Sequence, residues 1–360
     1  MSYMINYSDI ALQTWKRHLA SHSLNNYSGI LSMQAFARLA KIMKSDELLD
    51  EIKNTIRPFW QEKISEVAGK YGENNYRCGG NATAFLVLRG YLPEALEVIV
   101  RYAEKLCKNQ ERDHRGIFQM PGGNRKDHSD GFIFIDTVFG VCPFLLWTGL
   151  AAKRQDFIDE SCFQMIKHYE ILFDKKLQLY HQCINFNIPG ALSPAHWSRG
   201  QGWAAIALAE MAYDLPKEHK DHEKIVQIYR ELMNGCRKYQ DKEGMLHQSV
   251  EDENSYTETS GTALALYAMG RGLKNGMLDK NEFQDAFLTG LKGMLRYLTL
   301  DGSIFNTCTG CCGPGTGTIE DYNARPWELN NEHAFGPVIL LMSQAEQLKS
   351  IGKIPELKKL

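Results

Sequence analysis

Apolar residues recur at three- and four-residue intervals along nearly the whole chain, and sustained two-residue alternation is scarce. The pattern predicts twelve helices, over residues 9–21, 29–43, 46–71, 81–89, 93–109, 137–152, 156–172, 199–213, 217–239, 257–272, 281–298 and 332–349. Pro93 in a first turn, and Thr257 three residues before Ser260, act as start signals.

The connections alternate in length. Joints after even-numbered helices are short, such as Lys153-Arg154-Gln155 and Leu215-Pro216, whereas residues 110–136, 174–198, 240–256 and 299–331 form long loops after odd-numbered ones. In a ring of antiparallel hairpins, all odd-to-even joints fall at one end, so four long loops gather over one mouth. The even-numbered helices are rich in small residues, as in Gly202-Trp203-Ala204-Ala205-Ile206-Ala207, which suits a closely packed inner ring. Odd-numbered helices carry more Lys and Glu, as a solvated outer ring requires. The expected fold is all-α, a single (α/α)6 barrel of six helical hairpins over residues 1–360. An open helical solenoid is the alternative, but no fixed-period repeat supports it.

Composition narrows the function. The 360 residues are 44% hydrophobic and 23% charged, enough for a large core, and the net charge of -2 with scattered Lys and Arg argues against nucleic acid and anionic membrane as partners. No apolar run approaches the roughly 18 residues of a membrane span. The first nine residues lack the basic start and apolar stretch of a signal peptide, so the expected location is the cytoplasm, or the periplasm if a signal has been removed. The nine cysteines, an odd number, lie mostly in apolar segments, as reduced buried thiols do. Cys308, Cys311 and Cys312 cluster in a glycine-rich stretch without a fourth ligand at zinc spacing and read as a turn. No His-Glu-x-x-His, Walker loop, G-x-G-x-x-G or G-x-S-x-G occurs, so neither a metal nor a nucleotide cofactor is expected.

Candidate chemistry sits in the long loops. Ser193 to Trp203 packs Trp197, Trp203, Arg199 and two glycines beside Gln201 directly before an apolar helix. Indole faces stack on sugar rings, a guanidinium forks onto a carboxylate, and glycines let backbone approach a ligand. The structural alternative is a buried Trp pair with Arg199 in an ion pair. Asp136 lies among Phe134, Ile135, Val138 and Phe139, so desolvation should raise its pKa towards that of a general acid. A helix N-cap is the competing role. His128, His181 and His196 can bond sugar hydroxyls or neighbouring carbonyls, and Glu258 reads as a first-turn cap.

Ile135-Asp136-Thr137, Leu179-Tyr180-His181, His196-Trp197-Ser198-Arg199-Gly200-Gln201-Gly202-Trp203 and Glu258-Thr259-Ser260-Gly261-Thr262 follow one another in this order. The series resembles the unsaturated uronyl hydrolases, glycoside hydrolase families 88 and 105, and more closely family 105. It spans roughly Asp136 to the C-terminal helix; the first third matches only as helical hairpins. The resemblance implies the six-hairpin barrel. It also implies removal of a 4,5-unsaturated uronic acid from the non-reducing end of lyase-generated oligosaccharides. In that chemistry an aspartic acid protonates the C4=C5 vinyl ether and helps water add at C5, and the hemiketal opens. Asp136 falls on the acid, and His181, Trp197, Arg199 and Trp203 fall on positions lining the sugar pocket. Phe134 matches a family aromatic two residues before the acid.

One departure concerns the family's second aspartate in the second hairpin. The stretch here, Tyr76-Arg77-Cys78-Gly79-Gly80-Asn81-Ala82-Thr83, has no carboxylate, leaving Asn81 to hydrogen-bond without charge. Asp130 or Asp127 compensates, or the activity has drifted. The competing readings are a sugar epimerase on the same barrel, recruiting His181 and His247, and a degenerate barrel that binds oligosaccharide without turnover. The expected partner is a small oligosaccharide; the oligomeric state is open.

Overall fold

The computed structural model describes residues 6–64, 74–119, 131–186, 188–311 and 318–357. Its helices are α1 (Tyr7–Ser21), α2 (Tyr27–Met43), α3 (Asp46–Trp60), α4 (Gly80–Leu88), α5 (Leu96–Asn109), α6 (Asp136–Ala152), α7 (Gln155–Leu172), α8 (Ser198–Asp214), α9 (His222–Lys238), α10 (Thr259–Asn275), α11 (Lys280–Leu295), the short α12 (Ile319–Asn323) and α13 (Glu332–Ser350). In space α2, α4, α6, α8, α10 and α13 touch in that order, and α13 returns to α2, closing an inner ring. The outer helices α1, α3, α5, α7, α9 and α11 lean on this ring. The fold is therefore the expected (α/α)6 barrel, and an open solenoid is excluded by the α13–α2 contact.

Sequence explains which helix goes where. Helix α5 is amphipathic and buries only Ile99, Tyr102, Ala103 and Leu106, whereas α8 buries every residue from Ser198 to Ala212. A helix buried all round must be largely apolar or small-sided, as α8 is apart from Arg199, Gln201 and Glu210. Small residues let the inner helices close in: a Cβ added at Gly202 would stand 2.9 Å from the Leu264 side chain, and one at Gly261 2.4 Å from the Ser198 carbonyl carbon. A Cβ at Gly200 would meet Ile135 at 3.3 Å and Trp197 at 3.4 Å. The glycines beside Gln201 thus serve packing rather than an approach to ligand, which corrects the sequence expectation.

Several helix boundaries also differ from those expected. The helix expected over 46–71 ends at Trp60, that expected from 217 begins at His222, and the one expected from Thr257 begins at Thr259. Thr257–Glu258 is instead a short strand. Four antiparallel strand pairs occur among the described residues: Ile133–Phe134 with Cys183–Ile184, Phe173–Asp174 with Leu179–Tyr180, Leu246–His247 with Thr257–Glu258, and Thr307–Cys308 with Trp327–Glu328. All lie in the odd-to-even connections. Backbone bonds continue the stitching around the mouth, from Ile135 N to Gln182 O at 2.9 Å, Ser198 N to Gln248 O at 3.0 Å and Thr259 N to Asn306 O at 3.1 Å. No described helix is long and apolar enough to cross a membrane.

Candidate active site

The hairpin topology points the N-termini of the inner helices into one mouth. Helix N-termini carry partial positive charge, so the mouth favours an anion. Asp136 is the first residue of α6, and the position before it, Ile135, makes no side-chain capping bond. The cap role weighed for Asp136 is therefore not the one it plays. Its Oδ2 is enclosed without a hydrogen-bond partner among the described residues. Burial pushes its pKa from 3.8 up to about 6, although the Arg199 charge, its own amide and the Trp203 indole N–H pull the other way. At pH 7 roughly a tenth of such a group still holds its proton. Glu258, by contrast, does cap: its carboxylate accepts from Ser260 N at 3.0 Å, Gly261 N at 2.7 Å and Cys308 N at 3.1 Å.

Arg199 is 1% exposed. Its Nη1 donates to the Cys308 carbonyl at 2.7 Å and to Ser260 Oγ at 3.2 Å, and the guanidinium lies 4.7 Å over the Trp197 ring. Glu258 is near enough to be felt electrostatically, yet no carboxylate of the described residues forms an ion pair with Arg199. The alternative of a routine ion pair fails. A buried cation held only by neutral groups is costly, and a bound carboxylate would relieve that cost.

Trp203 is 1% exposed, stacks on Phe139 at 4.7 Å and meets Tyr27 edge-on at 6.3 Å. Trp197 is also buried and its indole N–H lacks a partner, whereas the Trp203 N–H acts on Asp136 without reaching full hydrogen-bond geometry. Both rings are almost wholly enclosed, so neither presents the broad open stacking face expected from the sequence. Phe134 packs with Phe132 and Phe186 under the loops. Asn81 is fully buried; its Nδ2 donates to the Phe139 carbonyl at 2.8 Å while Oδ1 has no partner. His128, Asp127 and Asp130 lie outside the described residues, as does Cys312.

His181 reaches the mouth by a traceable route. Gln201 on α8 grips the Tyr180 main chain at both ends, Oε1 accepting from Tyr180 N and Nε2 donating to Tyr180 O, each at 2.7 Å. His181 follows, its Nδ1 2.6 Å from the Ser193 carbonyl and its ring 4.4 Å from that of His196. His247 is held elsewhere, by the Ser255 carbonyl and near Asp241.

Two residues escaped the sequence reading. Tyr27, opening α2, and His333, opening α13, share a short hydrogen bond, and Asn331 Oδ1 lies 2.6 Å from His333 Nδ1. Because that oxygen only accepts, Nδ1 carries the proton and Nε2 accepts from the phenol. Burial, with Arg199 and His22 adding to it, holds His333 well below its ordinary pKa, so it stays neutral. Burial raises Tyr27, and both Arg199 and Asp136 lie within its electrostatic reach. Capping chemistry at helix starts was the only local signal, and it does not distinguish a site residue from a cap.

The chain is similar to several known proteins. The unsaturated rhamnogalacturonyl hydrolase YesR of Bacillus subtilis is 26% identical over 179 residues, 49% of this chain and 52% of that protein. An unsaturated 3S-rhamnoglycuronyl hydrolase of Formosa agariphila is 24% identical over 226 residues, 59% of this chain and 57% of that one. The matches thus span about half the length of these curated relatives. A family 105 glycoside hydrolase from C. acetobutylicum superposes with a TM-score of 0.80 at 22% identity, covering 95% of this chain and 99% of the other. The model of Glycosyl Hydrolase Family 88 matches residues 3–349, and the chain belongs to that family.

Proposed function

We propose that this chain, acting as one barrel domain, removes a 4,5-unsaturated uronic acid from the non-reducing end of small oligosaccharides. The observation that carries the reading is the pairing of Asp136, whose Oδ2 is enclosed and unpartnered, with a buried Arg199 that forms no ion pair among the described residues. The uronate carboxylate neutralises Arg199 by a forked contact. Asp136 gives its proton to C4 of the vinyl ether, and positive charge develops at C5 and the ring oxygen. Water adds at C5 as the Asp136 carboxylate takes back a proton, and the resulting hemiketal opens to release the remaining sugar. The proton given to C4 is regained from the attacking water, so the scheme consumes one water and returns Asp136 and Arg199 to their starting state. It differs from ordinary glycoside hydrolysis, where two carboxylates flank the scissile bond.

His181, Trp197 and Trp203 shape and position the sugar, with Asn81 and Phe134 behind that wall; Asp130 and His128, outside the described residues, are proposed as substrate contacts from the sequence alone. The relatives' names, unsaturated rhamnogalacturonyl and rhamnoglycuronyl hydrolases, support this substrate class. The test is a panel of lyase products from pectin, ulvan and glycosaminoglycans, followed by ultraviolet absorbance of the conjugated double bond. At least one should lose that absorbance. Binding without loss across the panel would overturn hydrolysis and leave a non-catalytic barrel.

A further inference from the structure

Beside the mouth, Asp174, His181 and His196 each present one ligand atom, all within 4.8 Å of one another. They stand seven and fifteen residues apart in sequence, a spacing that no motif search would select. The hairpin Phe173–Asp174 with Leu179–Tyr180 brings the first two together, and the return of the chain to α8 delivers the third. Each imidazole is already held by Nδ1. His181 Nδ1 faces the Ser193 carbonyl at 2.6 Å, and His196 Nδ1 faces Glu251 Oε1 at 2.7 Å. Backbone-carbonyl and carboxylate partners on Nδ1 are what orient metal-binding histidines and fix Nε2 as the ligand.

His196 is 3% exposed, and its Nε2 is enclosed without a partner. A buried ring nitrogen left unbonded calls for an occupant. Asp174 Oδ1 accepts from Lys176 N at 2.8 Å and Leu177 N at 3.0 Å, which pins the carboxylate and leaves Oδ2 for another contact. Donors around one tetrahedral zinc, at about 2.0–2.1 Å from the ion, lie roughly 3.4 Å apart. A modest side-chain rotation closes the observed cluster to that size.

We propose that Asp174, His181 and His196 bind one divalent ion of the zinc class at the rim of the mouth, with Glu251 and the Ser193 carbonyl as outer partners. Two imidazoles and one carboxylate suit zinc and its neighbours rather than calcium or magnesium, which prefer all-oxygen sets. Three protein ligands leave a position for water or a sugar oxygen. The ion would pin the two ends of the 173–197 connection, which carries His181 and Trp197, to each other between α7 and α8. A second His-containing cluster, Cys162 with His219 and Asp221, is a poorer host. His219 Nε2 is committed to Asp159 at 2.9 Å, and burial pushes the Cys162 thiol up to about 12.

The test needs only the metal as probe. The full chain is treated with a chelator, exchanged into metal-free buffer, and titrated calorimetrically with zinc; cobalt(II) then reports coordination through its visible spectrum. One ion per chain should bind. Asp174→Asn and His196→Ala should each weaken affinity by more than about a hundredfold, and Glu251→Gln by about 10–100-fold. Circular dichroism on each variant checks folding, and the near-isosteric Asp174→Asn keeps the test decisive if His196→Ala misfolds. Absence of stoichiometric binding to the wild type would overturn the proposal. So would an affinity that Asp174→Asn changes less than tenfold, or binding lost instead in Cys162→Ser.

Discussion

The two ends of the barrel treat buried charge in opposite ways. At the closed end, twelve residues or about 18 Å along α8 from Ser198, Glu210 is fully buried with Arg38, Arg271 and the Tyr267 hydroxyl around its carboxylate. Nearby, Arg89 Nη2 donates to both oxygens of Asp214 at 2.6 Å, and Trp147 Nε1 donates to the same carboxylate at 2.7 Å. Every one of these charges has a counter-charge. At the mouth, Asp136 Oδ2, the Trp197 indole, His196 Nε2 and Asn81 Oδ1 have no partner, and Arg199 has no ion pair. Unbonded polar atoms occur at the closed end too, Arg38 Nε, Arg89 Nε and Arg271 Nε among them, so what sets the mouth apart is a buried cation without an ion pair beside an aspartate without one.

The largest expected effect breaks the mouth without touching the fold. Asp136→Asn has no proton to give, and general acid catalysis is worth about 10²–10⁴-fold, so turnover should fall at least that far. Thermal stability should hold, because no cap or ion pair is lost. In the wild type, turnover should fall about tenfold per pH unit above about 6, where Asp136 loses its proton. A variant retaining more than a tenth of the rate would remove Asp136 from the chemistry.

The closed end should answer in the opposite currency. Glu210→Gln leaves Arg38 and Arg271 uncompensated, and breaking such a buried pair costs about 3–5 kcal/mol. Denaturant unfolding should show that loss, with KM near the wild-type value in the fraction that stays folded. Equal stability would mean the network is not the charge-matched anchor described.

Much of this contrast was legible beforehand. Alternating joint lengths placed the loops, and Ala- and Gly-rich segments such as 202–209 marked the inner ring. The two-residue strands could not be read, because two residues carry no alternation. The helix over 46–71 was over-extended because periodicity continues past Trp60 without a strong stop. Asp136 and Arg199 were visible from their apolar neighbours. Tyr27, His333 and Glu251 were not, because each meets the site only through ring closure or loop stitching. Glu258 and Asp136 look alike in sequence, yet three backbone N–H groups satisfy one and none of comparable geometry satisfies the other's Oδ2.

A smaller effect should sharpen the reading of Arg199. Arg199→Lys keeps a charge but loses the fork, and a charge-assisted hydrogen bond is worth about 1.5–3 kcal/mol, so KM should rise about tenfold or more with kcat less affected. An unchanged KM would return Arg199 to a purely structural role. Smaller still is Asn81→Asp. The new carboxylate loses the donor that holds the Phe139 carbonyl, so stability should drop by about 1–3 kcal/mol. Its charge should also move the alkaline limb of the pH–rate profile upward if position 81 senses Asp136. A limb that stays in place would show that Asp136 titrates alone.

The central claim is that Asp136 holds its proton because it is enclosed and unpartnered. Carbon-13 NMR of aspartate-labelled protein, assigned by the peak missing in Asp136→Asn, reads that carboxyl directly across pH. The account predicts a midpoint at about 6 in the ligand-free protein. A midpoint in the ordinary aspartate range, near about 4, would contradict it.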